Sequence, residues 1–278
     1  VPEGPEVETV RRSLVALLVG KVLTAPRVSA KKLRTPITTR TLKPLAGARV
    51  TGLDRRGKLL VVDVDGDRGL FVRLGMTGRF VVEHKKTKPA LHTHVRFDVV
   101  DDHGAAGHEL RFIDPRRFGE VVPFFSRAER SEELSRLGPD GIVVDDAGRA
   151  AIAHGLQGTT RSLKDALLDQ TIVAGVGNIY AAEALFLARL SPFRAGADLD
   201  DDEAVRLVRA VEDTLAQGVK NRGTSFSDYV DGEGQRGDNQ HALHVFQREG
   251  EACRACGTTI TRVVQGARST FFCPLCQG

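Results

Sequence analysis

The sequence predicts an α+β multidomain protein: a β-sandwich or barrel with a packed N-terminal helix, then helices, then a small cysteine-held hairpin. Three observations carry this expectation. Between residues 47 and 125 short apolar runs are broken by turn-formers, after Ala147 the apolar period lengthens to that of a helix, and all four cysteines fall in the last 26 of 278 residues. A chain of this length has room for about two domains with sizeable cores.

The first element is a helix. Val7, Val10, Leu14 and Leu17 recur at helical spacing up to Gly20, and Pro2-Glu3 ahead of them is ordinary helix-start punctuation. Strands are expected at 58–64, 70–74, 80–82, 94–100, 109–113 and 121–125, separated by turns such as Asp65-Gly66-Asp67 and Asp101-Asp102-His103-Gly104. Short strands at this spacing suit a sandwich or barrel. Helices are expected at 161–168, 179–190 and 201–219, the last with Ala204, Leu207, Val208, Val211 and Leu215 on one face. The acid run Asp200-Asp201-Asp202-Glu203 matches the positive end of that helix's dipole and reads as a solvated start, not a metal site. The polar, glycine-rich stretch 223–240 is expected to be a mobile loop.

Composition narrows the function classes. Forty Lys+Arg against 36 Asp+Glu give a net charge of +4, which fits a polyanionic partner. Aromatics are only 5% and tryptophan is absent, which argues against a broad base-stacking platform. No charged segment leads into an apolar one at the start, and no apolar run approaches the roughly 18–20 residues that span a bilayer, so a soluble cytosolic protein is expected.

Chemistry concentrates at the two ends. If Val1 is removed, Pro2 carries a free secondary amine, with a pKa of roughly 7.7–8.0 for an α-amino group, so part of it is neutral and nucleophilic near neutral pH. Attack of such an amine on a sugar C1′ or a carbonyl gives an iminium ion, an electron sink for later eliminations, and Glu3 is placed to act as acid or base. At the other end Cys253-x2-Cys256 and Cys273-x2-Cys276, sixteen residues apart, have the spacing of a closed four-thiolate zinc site. One structural Zn2+ is expected, because so short a segment has few apolar side chains to hold its shape. Between the knuckles, Gly266-Ala267-Arg268-Ser269-Thr270 reads as a small-residue hairpin tip presenting Arg268 to a phosphate.

Pro2-Glu3 and the zinc hairpin with Arg268 are joined by five further motifs. These are Arg56-Gly57-Lys58, Leu74-Gly75-Met76-Thr77-Gly78, Asp114-Pro115-Arg116-Arg117-Phe118-Gly119, Gly175-Val176-Gly177-Asn178-Ile179-Tyr180 and Thr224-Ser225-Phe226-Ser227-Asp228-Tyr229. In this order, over essentially the whole chain, they resemble the formamidopyrimidine-DNA glycosylase/endonuclease VIII family. The resemblance implies a catalytic β-sandwich domain at 1–135, a helix-two-turns-helix DNA-binding domain with a lesion-capping loop at 147–240, and a zinc-finger hairpin at 241–278. It implies a bifunctional DNA glycosylase and abasic-site lyase removing oxidised purines, 8-oxoguanine and formamidopyrimidines, from duplex DNA. Pro2 would be the nucleophile, Glu3 the proton donor, and Lys58 and Arg268 contacts to lesion and phosphate.

The resemblance further implies that Met76, Arg116 and Phe118 fill the gap left by an extruded base. Met76 is the only methionine in the chain, and a flexible thioether suits such a wedge. Asn178, which can also cap its helix, would clamp phosphates with Arg268. Lys164 and His92 would lie near the DNA backbone, although His92 and His94 also alternate as on a strand, and Glu6 would lie beside the nucleophile. The expected partner is duplex DNA with oxidised bases or abasic sites, bound by a monomer in the bacterial cytoplasm at the nucleoid. Val1 stands where methionine starts the family, Gly4 leans toward the endonuclease VIII branch, Arg73 replaces a common histidine and Gln247 a common glycine. These departures bear on base preference, and the nearest alternative is the same chemistry on oxidised pyrimidines. The Arg116-Arg117-Phe118 wedge and the long capping loop favour the purine branch. A rival of another class is a non-catalytic damaged-DNA-binding homologue, which a chain retaining Val1 would have to be.

Overall fold

The computed structural model describes residues 2–278 except Lys32, Asp102, Ser227 and Asp228. The expectation for Val1, one residue of the 101–104 turn and two of the 224–229 motif lie outside the described residues. The chain divides into two compact units, one comprising residues up to Ser135 with Asn221–Asp238, the other Arg136–Lys220 with Asn239–Gly278.

The first unit contains α1 (Gly4–Leu18), β1 (Val22–Val28), α2 (Thr39–Leu42), β2 (Ala48–Arg56), β3 (Leu59–Val64), β4 (Arg68–Arg73), β5 (Arg79–His84), β6 (Thr93–Val100), β7 (His108–Ile113), β8 (Glu120–Phe124) and α3 (Arg127–Ser135). The strands form one antiparallel sheet in the order β5-β7-β6-β1-β2-β3-β4-β8. Its middle is thin. Only Val22↔Arg49 and Leu23↔Ala48 pair β1 with β2, so the two halves can turn their apolar faces to one core. Leu23, Phe80, Phe97 and Phe112 of one half share that core with Val50, Leu60, Val62 and Val72 of the other and with Val7, Val10, Leu14 and Leu18 of α1. The expected sandwich is therefore a single eight-stranded sheet bent through a short central pairing. Each of the four α1 side chains contributes about 1.5–3 kcal/mol by burial, against a few tenths per residue from helix propensity, so burial sets where α1 lies.

In this unit β1, α2, β2 and α3 escaped the sequence pattern, as did the helix Asp146–Gln157 of the other unit, and for three of them the physical reason is visible. Pro26 interrupts β1, and the strand absorbs it by a register shift between Thr24 and Arg27 with Ala25 in the left-handed region. Gly52 and several charges obscure β2, which also shifts register, between Val50 and Gly52. Helix α3 has no buried residue. It is held to the sheet by charge: Arg130 pairs with Asp54 (2.9 Å) and Asp63 (2.8 Å), and Glu133 with Arg73. A helix without an apolar stripe has no period to read.

The 221–238 segment belongs to the first unit because its backbone is tied there. The Gly232 N–H donates to Ser13 Oγ (2.8 Å), and Val82 N–H to the Gly232 carbonyl (3.2 Å). Asp231 is buried, pairs with Arg222 and accepts from the Glu233 and Gln235 N–H groups at 3.0 and 2.9 Å. Composition predicts a mobile loop here, but its described residues are anchored from both sides.

In the second unit α4 (Asp146–Gln157), α5 (Leu163–Leu168), α6 (Asn178–Ala188) and α7 (Asp201–Lys220) precede a hairpin of β9 (Thr261–Gln265) and β10 (Arg268–Phe272). Helix α6 is buried nearly all round and forms the centre. Its neighbours Leu156, Leu163, Leu207 and Leu215 share one core with Ile260, Phe271, Cys253 and Cys273 of the cysteine end. Among the described residues no helix is long and apolar enough to cross a membrane.

One ion cluster couples α1 to β2. Buried Glu8 accepts from Arg11, Arg12 and Arg55, with N–O distances of 2.8, 2.7 and 3.0 Å. Burial alone would raise the Glu8 pKa, but these three hydrogen bonds override it and hold it down to about 2. A carboxyl depressed in the folded state stabilises above its unfolded pKa of roughly 4.3 and loses that contribution as pH falls through the folded value. Glu8→Gln is therefore expected to destabilise by about 2–3 kcal/mol at pH 7 and by much less near pH 2, as read from urea unfolding at both pH values.

Candidate active site and nucleic-acid interface

In the first unit the N-terminus is held by one carboxylate. Glu3 is the N-cap of α1, and its N–H donates to Glu6 Oε2 at 2.8 Å. The other oxygen, Glu6 Oε1, accepts the Thr224 N–H at 2.6 Å. Pro2, Glu3 and Glu6 are all buried, so the chain start and the stem of the 221–238 segment converge on the same buried charge. Tyr229 completes the cluster, its hydroxyl lying 3.2 Å from the Glu6 carbonyl and 3.1 Å from the Arg222 carbonyl. Burial and then the nearby Glu6 push its phenol far above the usual range, so it stays a neutral donor.

Lys58 does not begin a strand. With Gly57, which has φ +58°, it forms the two-residue tip between β2 and β3, and it is half-buried. Arg55 braces the tip by donating to the Gly57 carbonyl (2.8 Å) while it pairs with Glu8, so α1 and the Lys58 turn share a support. The sequence reading missed Glu8 and Arg55. Arg11 and Arg12, three and four residues after Glu8 on one helix face, are the signal that could have found it.

A second cluster forms where two turns meet. Met76 lies half-buried in the turn between β4 and β5, and Arg116 and Phe118 are exposed in the turn between β7 and β8. The Arg116 guanidinium carbon sits 4.9 Å from the Phe118 ring centroid, and Phe118 remains 46% exposed. His92 is not on a strand, contrary to the sequence reading. It occupies the turn before β6 with φ +70° and lines an open groove of about 790 Å³ together with Lys31, Lys88 and Arg96. His94 alone is on β6, buried, with Ser29 Oγ at 3.0 Å and the Asp114 carbonyl at 2.9 Å. Burial lowers its pKa.

The second unit gathers Lys164, Asn178 and Arg268. Both Lys164 Nζ and Asn178 Nδ2 donate to the Ser269 carbonyl at 3.0 Å, and Lys164 also donates to Thr270 Oγ1 at 2.6 Å. Gly266 and Ala267 turn the hairpin with φ of +55° and +62°, leaving Arg268 exposed at the start of β10. Asn178 does not cap α6: the N-cap is Gly177, and Asn178 is the first helical residue. Its Oδ1 is buried without a hydrogen-bond partner among the described residues. Lys164 is buried, and desolvation, with Arg268 adding to it, lowers its pKa to about 8. Glu183, which no motif flagged, accepts the N–H groups of His244, Val245 and Phe246 at 2.7–2.9 Å and anchors the approach to the finger.

The four cysteine sulfurs lie within 4.8 Å of one another, with Cys256 and Cys273 at 3.5 Å and Cys253 and Cys276 at 4.0 Å. A tetrahedron of Zn–S bonds of about 2.3 Å has edges of about 3.8 Å, so the donor set fits one closed, structural Zn2+.

Two of the departures have structural explanations. Arg73 pairs with Glu120 (3.3 Å) and Glu133 and ties β4 to β8 and α3. Gln247 adopts φ +57°, a left-handed conformation that glycine takes without strain, which is why glycine suits that position.

Three family signatures match the chain: the formamidopyrimidine-DNA glycosylase N-terminal domain over residues 1–121, the formamidopyrimidine-DNA glycosylase H2TH domain over 137–229, and a zinc finger found in FPG and IleRS over 250–278. Among curated proteins the chain is 40% identical over 277 residues to the formamidopyrimidine-DNA glycosylase of Laribacter hongkongensis, covering 100% of both chains. It is 41% identical over 282 residues to that of Heliobacterium modesticaldum, again over 100% of both. The crystal structure of the MutM (Fpg) protein of Thermus thermophilus superposes with a TM-score of 0.85 at 40% identity, over 100% of this chain and 99% of that one. Lactococcus lactis Fpg in complex with abasic-site DNA gives a TM-score of 0.89 at 29% identity, over 99% of each chain.

Cys253→Ala is expected to release the metal and loosen the hairpin, because structural zinc in finger peptides contributes about 10–16 kcal/mol, more than burial of Ile260 and Phe271 at about 1.5–3 kcal/mol each. Metal analysis should fall from one zinc per chain to none, and DNA affinity should fall with it.

Proposed function

The chain belongs to the formamidopyrimidine-DNA glycosylase family, and from that membership we propose how the residues of this bifunctional glycosylase and abasic-site lyase divide the removal of 8-oxoguanine and formamidopyrimidine lesions from DNA. The observation that carries the reading is the buried Glu6 carboxylate, which pins the backbone beside Pro2 and the stem of the 221–238 loop to one point.

In a mature chain beginning at Pro2, the secondary amine attacks C1′ of the damaged nucleoside. The C1′–N bond breaks and the base leaves with a proton delivered through Glu3; the amine gives up its own proton, and the C1′–O4′ bond then opens, with O4′ taking a proton, to form the C1′=N iminium. The resulting iminium acidifies the C2′ hydrogen, so its removal expels the 3′ phosphate by β-elimination. A further δ-elimination expels the 5′ phosphate, and hydrolysis frees the proline. Glu6 carries no step itself. It fixes the direction in which the chain start points, as near-attack geometry requires. Lys58, on its braced two-residue tip, is assigned to the lesion and its phosphate.

Extruding a base costs a few kcal/mol, and Met76, Arg116 and Phe118 fill the gap it leaves. The exposure of Phe118 supports this, since a ring of that size gains more from burial between bases than from water. Arg268 and the start of α6 at Asn178 are assigned to phosphates beside the lesion, where a guanidinium and free backbone N–H groups bind anions well. Lys164 is assigned to the same region through the hairpin it holds, and His92 to the backbone through its basic groove. Zinc shapes the hairpin and takes no part in bond breaking. The enzyme is read as a monomer acting on nucleoid DNA in the cytoplasm.

Two experiments test the assignments. Borohydride should trap a covalent complex with 8-oxoguanine duplex that maps to Pro2, and intact mass should show no residue ahead of it. A variant forced to retain one extra N-terminal residue has an amide nitrogen there and should bind lesion DNA but lose trapping and cleavage. Undiminished cleavage by that variant would transfer the nucleophile's role to Lys58. Separately, Met76→Ala and Phe118→Ala should slow excision of 8-oxoguanine about tenfold or more and cleavage of a preformed abasic site much less, measured as single-turnover rates.

A further inference from the structure

The two turns that carry Met76 and the Arg116-Arg117-Phe118 segment are in backbone contact. A Cβ built on Gly75 would stand 2.6 Å from the Gly119 nitrogen and 2.7 Å from the Phe118 carbonyl carbon, and one on Gly119 would stand 2.7 Å from the Arg73 oxygen. The β4–β8 ladder, which ends at Arg73↔Glu120, and the Phe112 ring against Gly119 bring the turns together, and polar contacts beyond the ladder tie them to each other.

One carboxylate supplies them. Asp114 is fully buried, and its Oδ1 accepts the Thr77 hydroxyl at 2.6 Å and the Arg116 N–H at 3.2 Å. Its Oδ2 accepts the Gly119 N–H at 2.8 Å. Thr77 Oγ1 also accepts from the Arg116 N–H at 3.3 Å. Thr77 follows Met76, and Arg116 and Gly119 bracket the segment that ends in Phe118. The backbone of Asp114 is locked in turn: its N–H donates to the His92 carbonyl (3.0 Å) and its carbonyl lies 2.9 Å from His94 Nε2. A buried charge is tolerable only with such partners, and here the donors to the carboxylate come from the two turns themselves.

We infer that Asp114 and Thr77 are positioning residues for base extrusion, holding Met76, Arg116 and Phe118 in a preassembled wedge before DNA arrives. The inference rests on the assignment of those three side chains as the wedge. Preassembly matters because a wedge that must be ordered during insertion adds its ordering entropy to the cost of unstacking the base. The hydrogen bonds of the clip join the two turns to each other, so it should affect extrusion and leave elimination alone.

The test uses the full-length zinc-loaded enzyme and Thr77→Val, which keeps shape and removes the hydroxyl, beside Thr77→Ser, which restores it. Removing a hydrogen bond to a buried carboxylate is expected to slow both 8-oxoguanine excision and the 2-aminopurine fluorescence change that reports base extrusion, by about tenfold. Cleavage of a preformed abasic site should stay within about twofold, and Thr77→Ser should return the excision rate to within about twofold of the parent. Equal losses on the two substrates, no loss at all, or failure of Thr77→Ser to rescue would overturn the positioning role. Met76→Ala and Phe118→Ala run in parallel distinguish the causes: if they too show no difference between the substrates, the wedge assignment itself has failed. If they do show it while Thr77→Val does not, only the clip is wrong.

Discussion

The buried carboxylate of Glu6 is the constraint that ties the start of the chain to the 221–238 segment in the first unit. A charge with no access to water is costly unless donors surround it, and here the donors are backbone N–H groups from Glu3 and Thr224, residues more than two hundred positions apart. Satisfying that charge brings the start of the chain and a late loop together, and no apolar contact could do so with the same directionality. Tyr229 and Asp231 extend the arrangement outward, one held neutral by burial and the other paired with Arg222. The loop stem is thus part of the first unit, although the chain reaches it only after the long helix α7.

The second unit solves a different problem, the placement of an arginine on a hairpin with little core of its own. Zinc and hydrogen bonds contribute on different scales. The metal site supplies about 10–16 kcal/mol and holds the hairpin's shape, while the hydrogen bonds of Lys164 and Asn178 to the Ser269 carbonyl, each worth about 1–3 kcal/mol, decide where its tip lies. Lys164 is made for the second task. Burial lowers its pKa to about 8, so at higher pH it becomes largely neutral, yet even a neutral amine can donate to a carbonyl.

Much of the site was legible because it is written in residue types with narrow uses. Four cysteines at knuckle spacing have few alternative explanations, and a lone methionine between glycines has fewer than most, whereas Pro2 also reads as an ordinary helix start. The illegible residues are ordinary ones whose role comes from what they meet. Asp114 and Thr77 stand inside recognisable motifs, but a carboxylate and a hydroxyl 37 residues apart carry no mark of their hydrogen bond. Lys164 looked like a cation near DNA and proved to be buried against the hairpin.

By itself the sequence determined the order and type of most elements, the metal site and the family. Hydrophobic period, turn chemistry and cysteine spacing are local, and local patterns can be read in one dimension. Tertiary structure alone decided that β1 continues through Pro26, that α3 is held by charge, that His92 leaves the strand with a left-handed backbone, and that Gly177 rather than Asn178 caps α6. Each of these depends on partners distant in sequence or on a dihedral angle set by the packing around it. Only the folded chain specifies those.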